Sequence, residues 1–184
     1  MLKAIGSKYD ICEDEKTREF YIIIKDLIED DYVNQMKNYV HHINTTCFQH
    51  CINVAYYNYL LCKKLGLDKS AGARAGVLHD LFLYNWKANK RQKGEPYHAF
   101  VHGRIALQNA KSRFELSACE ENIISCHMFP LSYDMPKYKE SFIIAIVDKY
   151  CAIAEFSVYL YERSKNFFKC AFLRKVKDKS QKVS

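Results

Sequence analysis

Six glycines and three prolines in 184 residues are too few for the many turns of a sandwich or barrel. No apolar run approaches the roughly 18 residues that a membrane span requires. The opening stretch MLKAIGSKYD lacks the apolar segment of a signal peptide, so a cytoplasmic protein is expected. None of the eight cysteines (Cys12, Cys47, Cys51, Cys62, Cys119, Cys126, Cys151, Cys170) falls in a C-x-x-C pair. Lying in apolar, helical-looking stretches, they read as small core residues rather than as disulfides or a zinc site, with a catalytic thiol as the sharper alternative. Net charge is also missing from most of the chain. Residues 1–162 hold twenty basic and twenty acidic side chains, which excludes a basic nucleic-acid-binding body. The whole excess of +7 sits in residues 163–184, with eight Lys/Arg and one acid. That tail, RSKNFFKCAFLRKVKDKSQKVS, reads as a solvated terminus; contact with anionic membrane or RNA is the alternative.

What is present is apolar and helical. Hydrophobic residues make up 49% of the chain and aromatics 14%, the composition of a folded domain with a sizeable core. The apolar spacing predicts an all-α protein. One helix is expected over 14–39, with Phe20, Ile23, Ile24, Leu27 and Ile28 on its apolar face, and a second from about Thr45 to Leu65, stopped by Gly66 in the left-handed conformation. Asp68 has the place of an N-cap for a third. Residues 87–96, KANKRQKGEP, read as a loop; a fourth helix follows from about Tyr97 to Ala110. The capping box SACE at 117–120 opens a short fifth helix ending near His127. After a proline-containing loop, 128–138, the last helix is expected from about Tyr138 to Arg163. This gives one domain: an N-terminal helical segment (1–40) packed on a central unit (41–163), then the basic tail (164–184).

Set against this apolar background, a few polar residues stand out. In ARAGVLHDLFLYNWK, residues 73–87, His79 and Asp80 interrupt an otherwise buried-looking run, and burying both is costly unless something compensates them. Each later or earlier helix offers a similar residue: His50 in the second, His98 and His102 on one face of the fourth, His127 at the end of the fifth, and Asp148 in the run FIIAIVDKYCA of the last. Taken singly, each reads as a hydrogen-bonded core residue, or for Asp148 as an ion-pair partner of a residue such as Arg74. The ordered series H…HD…H…H…D, distributed over successive helices, points instead to a shared metal site.

The same series makes the chain resemble the HD-domain metal-dependent phosphohydrolases, an all-helical superfamily. The resemblance runs from about Asn44 to Glu155 through TTCFQHCINVAYYNYLLCKKLGLD, AGARAGVLHDLF, HGRIALQNA, IISCHMFP and IVDKYCAIAE. It implies an HD-domain helical bundle over 41–163. It also implies that His50, His79, Asp80 and Asp148 hold one metal, with Asp80 bridging to a second held by His102 and His127. Imidazole and carboxylate without thiolate favour one or two divalent transition ions: Fe, Mn, Co, Ni or Zn. Such ions activate water to attack phosphorus, so the expected reaction is hydrolysis of a phosphoester or phosphoanhydride in a nucleotide or small phosphorylated metabolite.

Several assignments stay open. His98 could replace His102 as a ligand; the match of HGRIAL favours His102, which leaves His98 as a proton-transfer residue or a surface histidine. Lys87 and Arg104 are the candidate phosphate contacts, ahead of Lys149. His41 and His42 read as capping or packing residues, with an approach to bound phosphate as the alternative. Two other functional classes remain: a degenerate HD domain serving as a regulatory binding module, and a di-iron oxygenase of the HD type.

Overall fold

The computed structural model describes residues 1–42, 44–85 and 96–181, with side chains for all of these except His42 and 166–181. Among the described residues the architecture is helical apart from one small hairpin, in agreement with the all-α expectation. The order is α1 (Arg18–Glu29), α2 (Asp31–Asn34), β1 (Val40–His42), β2 (Thr45–Thr46), α3 (Cys47–Leu65), α4 (Lys69–Leu78), α5 (His98–Lys111), α6 (Ala118–Cys126) and α7 (Lys139–Gln181). No helix among the described residues is long and apolar enough to cross a membrane.

Helix α3 runs through the centre, packed against α4 on one side and α7 on another; α4 also meets α1 and α6, and α5 lies on α6. Phe20, Ile24 and Leu27 bury the apolar face of α1, and the Phe20 ring packs on Tyr56 and Tyr59 of α3. Each such side chain contributes about 1.5–3 kcal/mol of burial. Helices α3 and α4 approach so closely that a Cβ on Gly76 would lie 2.5 Å from the Ala55 Cα. Arg74 does not reach Asp148. It bonds Asp26 and the Ile23 carbonyl of α1 and Glu120 of α6, joining three helices.

The capping signals are where the sequence places them. The Asp68 carboxylate accepts from the Ser70 and Ala71 amides, Gly66 closes α3 at φ 67°, and Ser117 and Glu120 form a reciprocal capping box. Three boundaries differ from expectation. The helix expected over 14–39 breaks at Asp30, whose extended backbone and carboxylate cap a new short helix through the Tyr32 and Val33 amides. Helix α4 ends at Leu78, so His79 and Asp80 stand at its C-terminal end and not within it. Helix α7 passes Arg163 and continues to Gln181. Nothing after Pro136 is Gly or Pro, and the Lys/Arg-rich sequence suits the negative end of the helix dipole. Most of the 87–96 loop, including Lys87, lies outside the described residues.

Five cysteines (Cys47, Cys51, Cys62, Cys126, Cys151) are buried, as core residues should be. Burial pushes the Cys62 thiol up to about 12 and that of Cys126 to about 11, which leaves no reactive thiolate at either.

Candidate metal centre

His79 and His127 occupy the same local position, the residue that follows the last turn of a helix. There each imidazole Nδ1–H donates to a carbonyl left without an intrahelical partner, His79 to Gly76 O and His127 to Ile124 O, both at 2.9 Å. His102, in the first turns of α5, donates from Nδ1 to the His98 carbonyl at 2.9 Å. His50 donates from Nδ1 to the Glu155 carboxylate at 3.0 Å, and Asn53 holds the same carboxylate at 2.7 Å. These four partners fix the tautomer of each neutral ring, with the proton on Nδ1 and the Nε2 lone pair turned to the cluster, the form that binds a metal.

All four Nε2 atoms converge on two carboxylates. Asp148 Oδ1 is 3.0 Å from His50 Nε2 and 3.8 Å from His79 Nε2. Asp80 divides its two oxygens: Oδ2 faces His79 at 3.4 Å and His41 at 3.2 Å, while Oδ1 faces His102 at 3.3 Å and His127 at 3.5 Å. A bridging carboxylate requires this division. Every one of these side chains is buried, with His50 and His79 at 0% exposure and Asp80 at 2%.

Burial of this many polar groups fits a cation. Among the described residues, His79 Nε2 and Asp80 Oδ1 have no hydrogen-bond partner, an expensive arrangement unless a positive charge lies between them. His102 Nε2 and His127 Nε2 stand 2.7 Å apart, and with both Nδ1 protons committed elsewhere two lone pairs at that distance repel. A proton or a metal ion between them removes the conflict. Burial opposes charge on both rings. Asp80 nonetheless holds His102 above its ordinary value, whereas burial and the neighbouring His102 push His127 down to about 3. Burial also opposes a charged His50, but hydrogen bonds to Asp148 and Glu155 outweigh it and hold the imidazole well above its usual range. Burial likewise works against ionised Asp80, and the surrounding imidazoles overcome it, keeping the carboxyl well below its ordinary range.

Three triads have their ligand atoms within 4.8 Å of one another: His50–His79–Asp148, His79–Asp80–His127 and His41–His50–Asp80. Small side-chain shifts close such spacings around a transition ion, whose bonds to nitrogen and oxygen run about 2.1 Å. The donor set, imidazole and carboxylate without thiolate, suits Fe, Mn, Co, Ni or Zn.

The cluster opens onto a cavity of about 440 Å³ lined by His41, Tyr97, His98, Met128, Lys149 and Ala152 along with the ligands. His98 stacks on His102 at 4.6 Å, with its Nδ1 3.1 Å from the Tyr84 hydroxyl. Burial and then the adjacent His102 bring it down to about 4, so the ring is neutral near pH 7. Arg104, expected to contact phosphate, is not brought to the cluster: it points to the surface and makes a two-pronged pair with Asp134, both contacts at 2.9 Å. It lies only two residues after His102, and residues two apart on a helix face different ways. Lys149 is the lysine or arginine that lines the cavity among the described residues, its ammonium resting on the Ala145 carbonyl at 2.9 Å.

Two participants are missing from the sequence-based set. Glu155 lies seven residues after Asp148, two turns along the same face of α7, and that spacing was the available signal. His41 arrives through the β-hairpin, which no helical pattern reveals.

The sequence model of the HD domain family matches residues 47–153, more than half of the chain. No curated protein and no solved structure matches it.

Proposed function

The chain belongs to the HD domain family, and from that membership we propose that it is a metal-dependent hydrolase of a phosphoester or phosphoanhydride carried by a nucleotide or small phosphorylated metabolite. The family as a whole is one of metal-dependent phosphohydrolases. The observation that carries the reading to this chain is the division of Asp80, with two groups of imidazoles facing its two oxygens. His50, His79, Asp80 and Asp148 would hold one ion; Asp80, His102 and His127 would hold a second. When bound, the ions would supply Lewis-acid activation of water and positive charge for the phosphoryl group.

The chain's own residues do the rest. Glu155 and the three helix carbonyls orient the imidazoles before any ion arrives, so the site is assembled without large rearrangement. Lys149 at the cavity wall offers a fixed cation to substrate phosphate. His98 is assigned proton transfer because it lines the cavity, stacked on His102 and bonded to the Tyr84 hydroxyl.

The test is a panel of phosphorylated metabolites and nucleotides, assayed with added Mn, Fe, Co or Ni, with and without oxygen. Phosphate release that is independent of oxygen and abolished by chelator is expected. Bound metal with no turnover of any panel member would favour the regulatory-module reading, and oxygen-dependent product would favour the oxygenase.

A further inference from the structure

We infer that His41 is an additional protein ligand of the first ion, the one held by His50, His79, Asp80 and Asp148; this rests on the metal-centre reading above. The short hairpin explains how a residue outside the helices reaches the site. Strand β1 pairs antiparallel with β2, Val40 opposite Thr46 and His42 opposite Thr45, and the Cys47 amide bonds the Tyr39 carbonyl at 2.8 Å. The chain therefore folds back over the first turn of α3, which carries His50. The register slips between Val40 and His42, and at this bulge Val40 stays half exposed while His41 is turned inward, where it is 8% exposed.

Once inside, His41 has the contacts of a ligand. Its ring stacks on that of His50 with centroids 4.5 Å apart and planes at 30°. Its Nε2 lies 3.2 Å from Asp80 Oδ2, the oxygen that also faces His79. His41, His50 and Asp80 offer one ligand atom each within 4.8 Å of one another, the same bound that the other two triads meet. Asp80 and His50 are both assigned to the first ion, so an imidazole nitrogen this near to both is within reach of the same ion. A packing or capping histidine needs neither this convergence nor a place on the cavity wall. A fifth protein ligand would leave the first ion at most one open position in an octahedral shell. It would also favour Fe, Mn, Co or Ni over Zn, whose structural sites are four-coordinate.

The experiment uses the full chain loaded with cobalt(II), read by metal stoichiometry, titrated affinity and visible spectrum, none of which depends on turnover. His127→Ala weakens the second ion and isolates the first. In that background, His41→Gln keeps a hydrogen-bond donor toward Asp80 but removes the imidazole. We expect at least about a tenfold loss of first-ion affinity, the scale of losing a group that supports a metal site. We also expect stronger d–d absorption, as coordination number falls. Unchanged affinity and spectrum overturn the inference and leave the hydrolase reading intact. Wild-type protein that binds ions but hydrolyses nothing overturns the hydrolase reading alone, and wild-type protein that takes up no ion overturns both. Should the His41 variants fail to fold, X-ray absorption on the His127→Ala protein decides: three imidazoles about the first ion support the inference and two overturn it.

Discussion

At the scale of single residues, the site depends on which ring nitrogen each histidine keeps for itself. The series H…HD…H…H…D was legible because ligand types recur once per helix, and the structure brings all six of those residues together. The partners of Nδ1 were not legible, because three of them are backbone carbonyls, which every residue carries. Glu155 is the exception. It accepts from His50 and Asn53 while buried to 5% exposure, and it belongs to the stretch that resembles the family. Glu155→Gln preserves shape but turns an acceptor into a group that can present an N–H to His50. First-ion affinity should fall by about 10- to 100-fold, with the second ion little changed. Metal titration monitored by calorimetry checks this; equal affinities would mean that Glu155 serves packing alone. Arg104 shows the opposite error. Its proximity in sequence to His102 suggested a phosphate contact, but helical direction sends it to Asp134 and solvent.

At the scale of elements, helix ends and close approaches position the ligands. Capping residues made α4 and α6 readable from sequence, whereas the break at Asp30 was hidden inside a continuous apolar pattern. Close approach was hidden too. A Cβ on Gly103 would lie 2.9 Å from the Ser125 carbonyl oxygen and 3.3 Å from His127 Cε1. Gly103→Ala should therefore push α5 off α6 and part His102 from His127, costing about 1–3 kcal/mol of stability. It should weaken the second ion while the first stays bound, as metal stoichiometry and a thermal melt together would show. Farther from the site, Glu19 of α1 accepts from Tyr59 and Lys63 of α3 and from Lys69 of α4. Hydrogen bonds from Lys63, Lys69 and Tyr59 lower its carboxyl from an ordinary 4.5 to about 2. A depressed carboxyl stabilises the fold above the ordinary value and loses that contribution as pH falls through the folded one. Melting temperature should thus drop between pH 4.5 and about 2 less steeply in Glu19→Gln than in the wild type. Parallel acid limbs would show that this exposed network adds nothing, which is common for surface pairs.

At the scale of the whole molecule, the charge-balanced body and the basic end behave as separate regions. All the proposed ligands precede residue 156, and the α7 side chains Phe156, Val158, Leu160 and Tyr161 are between 46% and 65% exposed. The helix was expected to stop near Arg163; helix propensity and the dipole carry it onward to Gln181 instead. Truncation after Lys165 should leave metal content and turnover nearly unchanged and the melting temperature within a degree or two. A drop of several degrees would show that Phe167, Phe168 and Phe172 complete the core. Any binding of the full chain to anionic vesicles or RNA should disappear with the same deletion and weaken with salt.

The central claim is that buried imidazoles and carboxylates from separate helices exist to hold cations through Asp80. Elemental analysis of protein purified without chelator, wild type beside Asp80→Ala, tests it most directly. The wild type should carry transition metal, up to two ions per chain, and Asp80→Ala should lose both while remaining folded by circular dichroism. Wild-type protein that is metal-free and refuses reconstitution, or an Asp80→Ala chain that retains its full complement, would contradict the account.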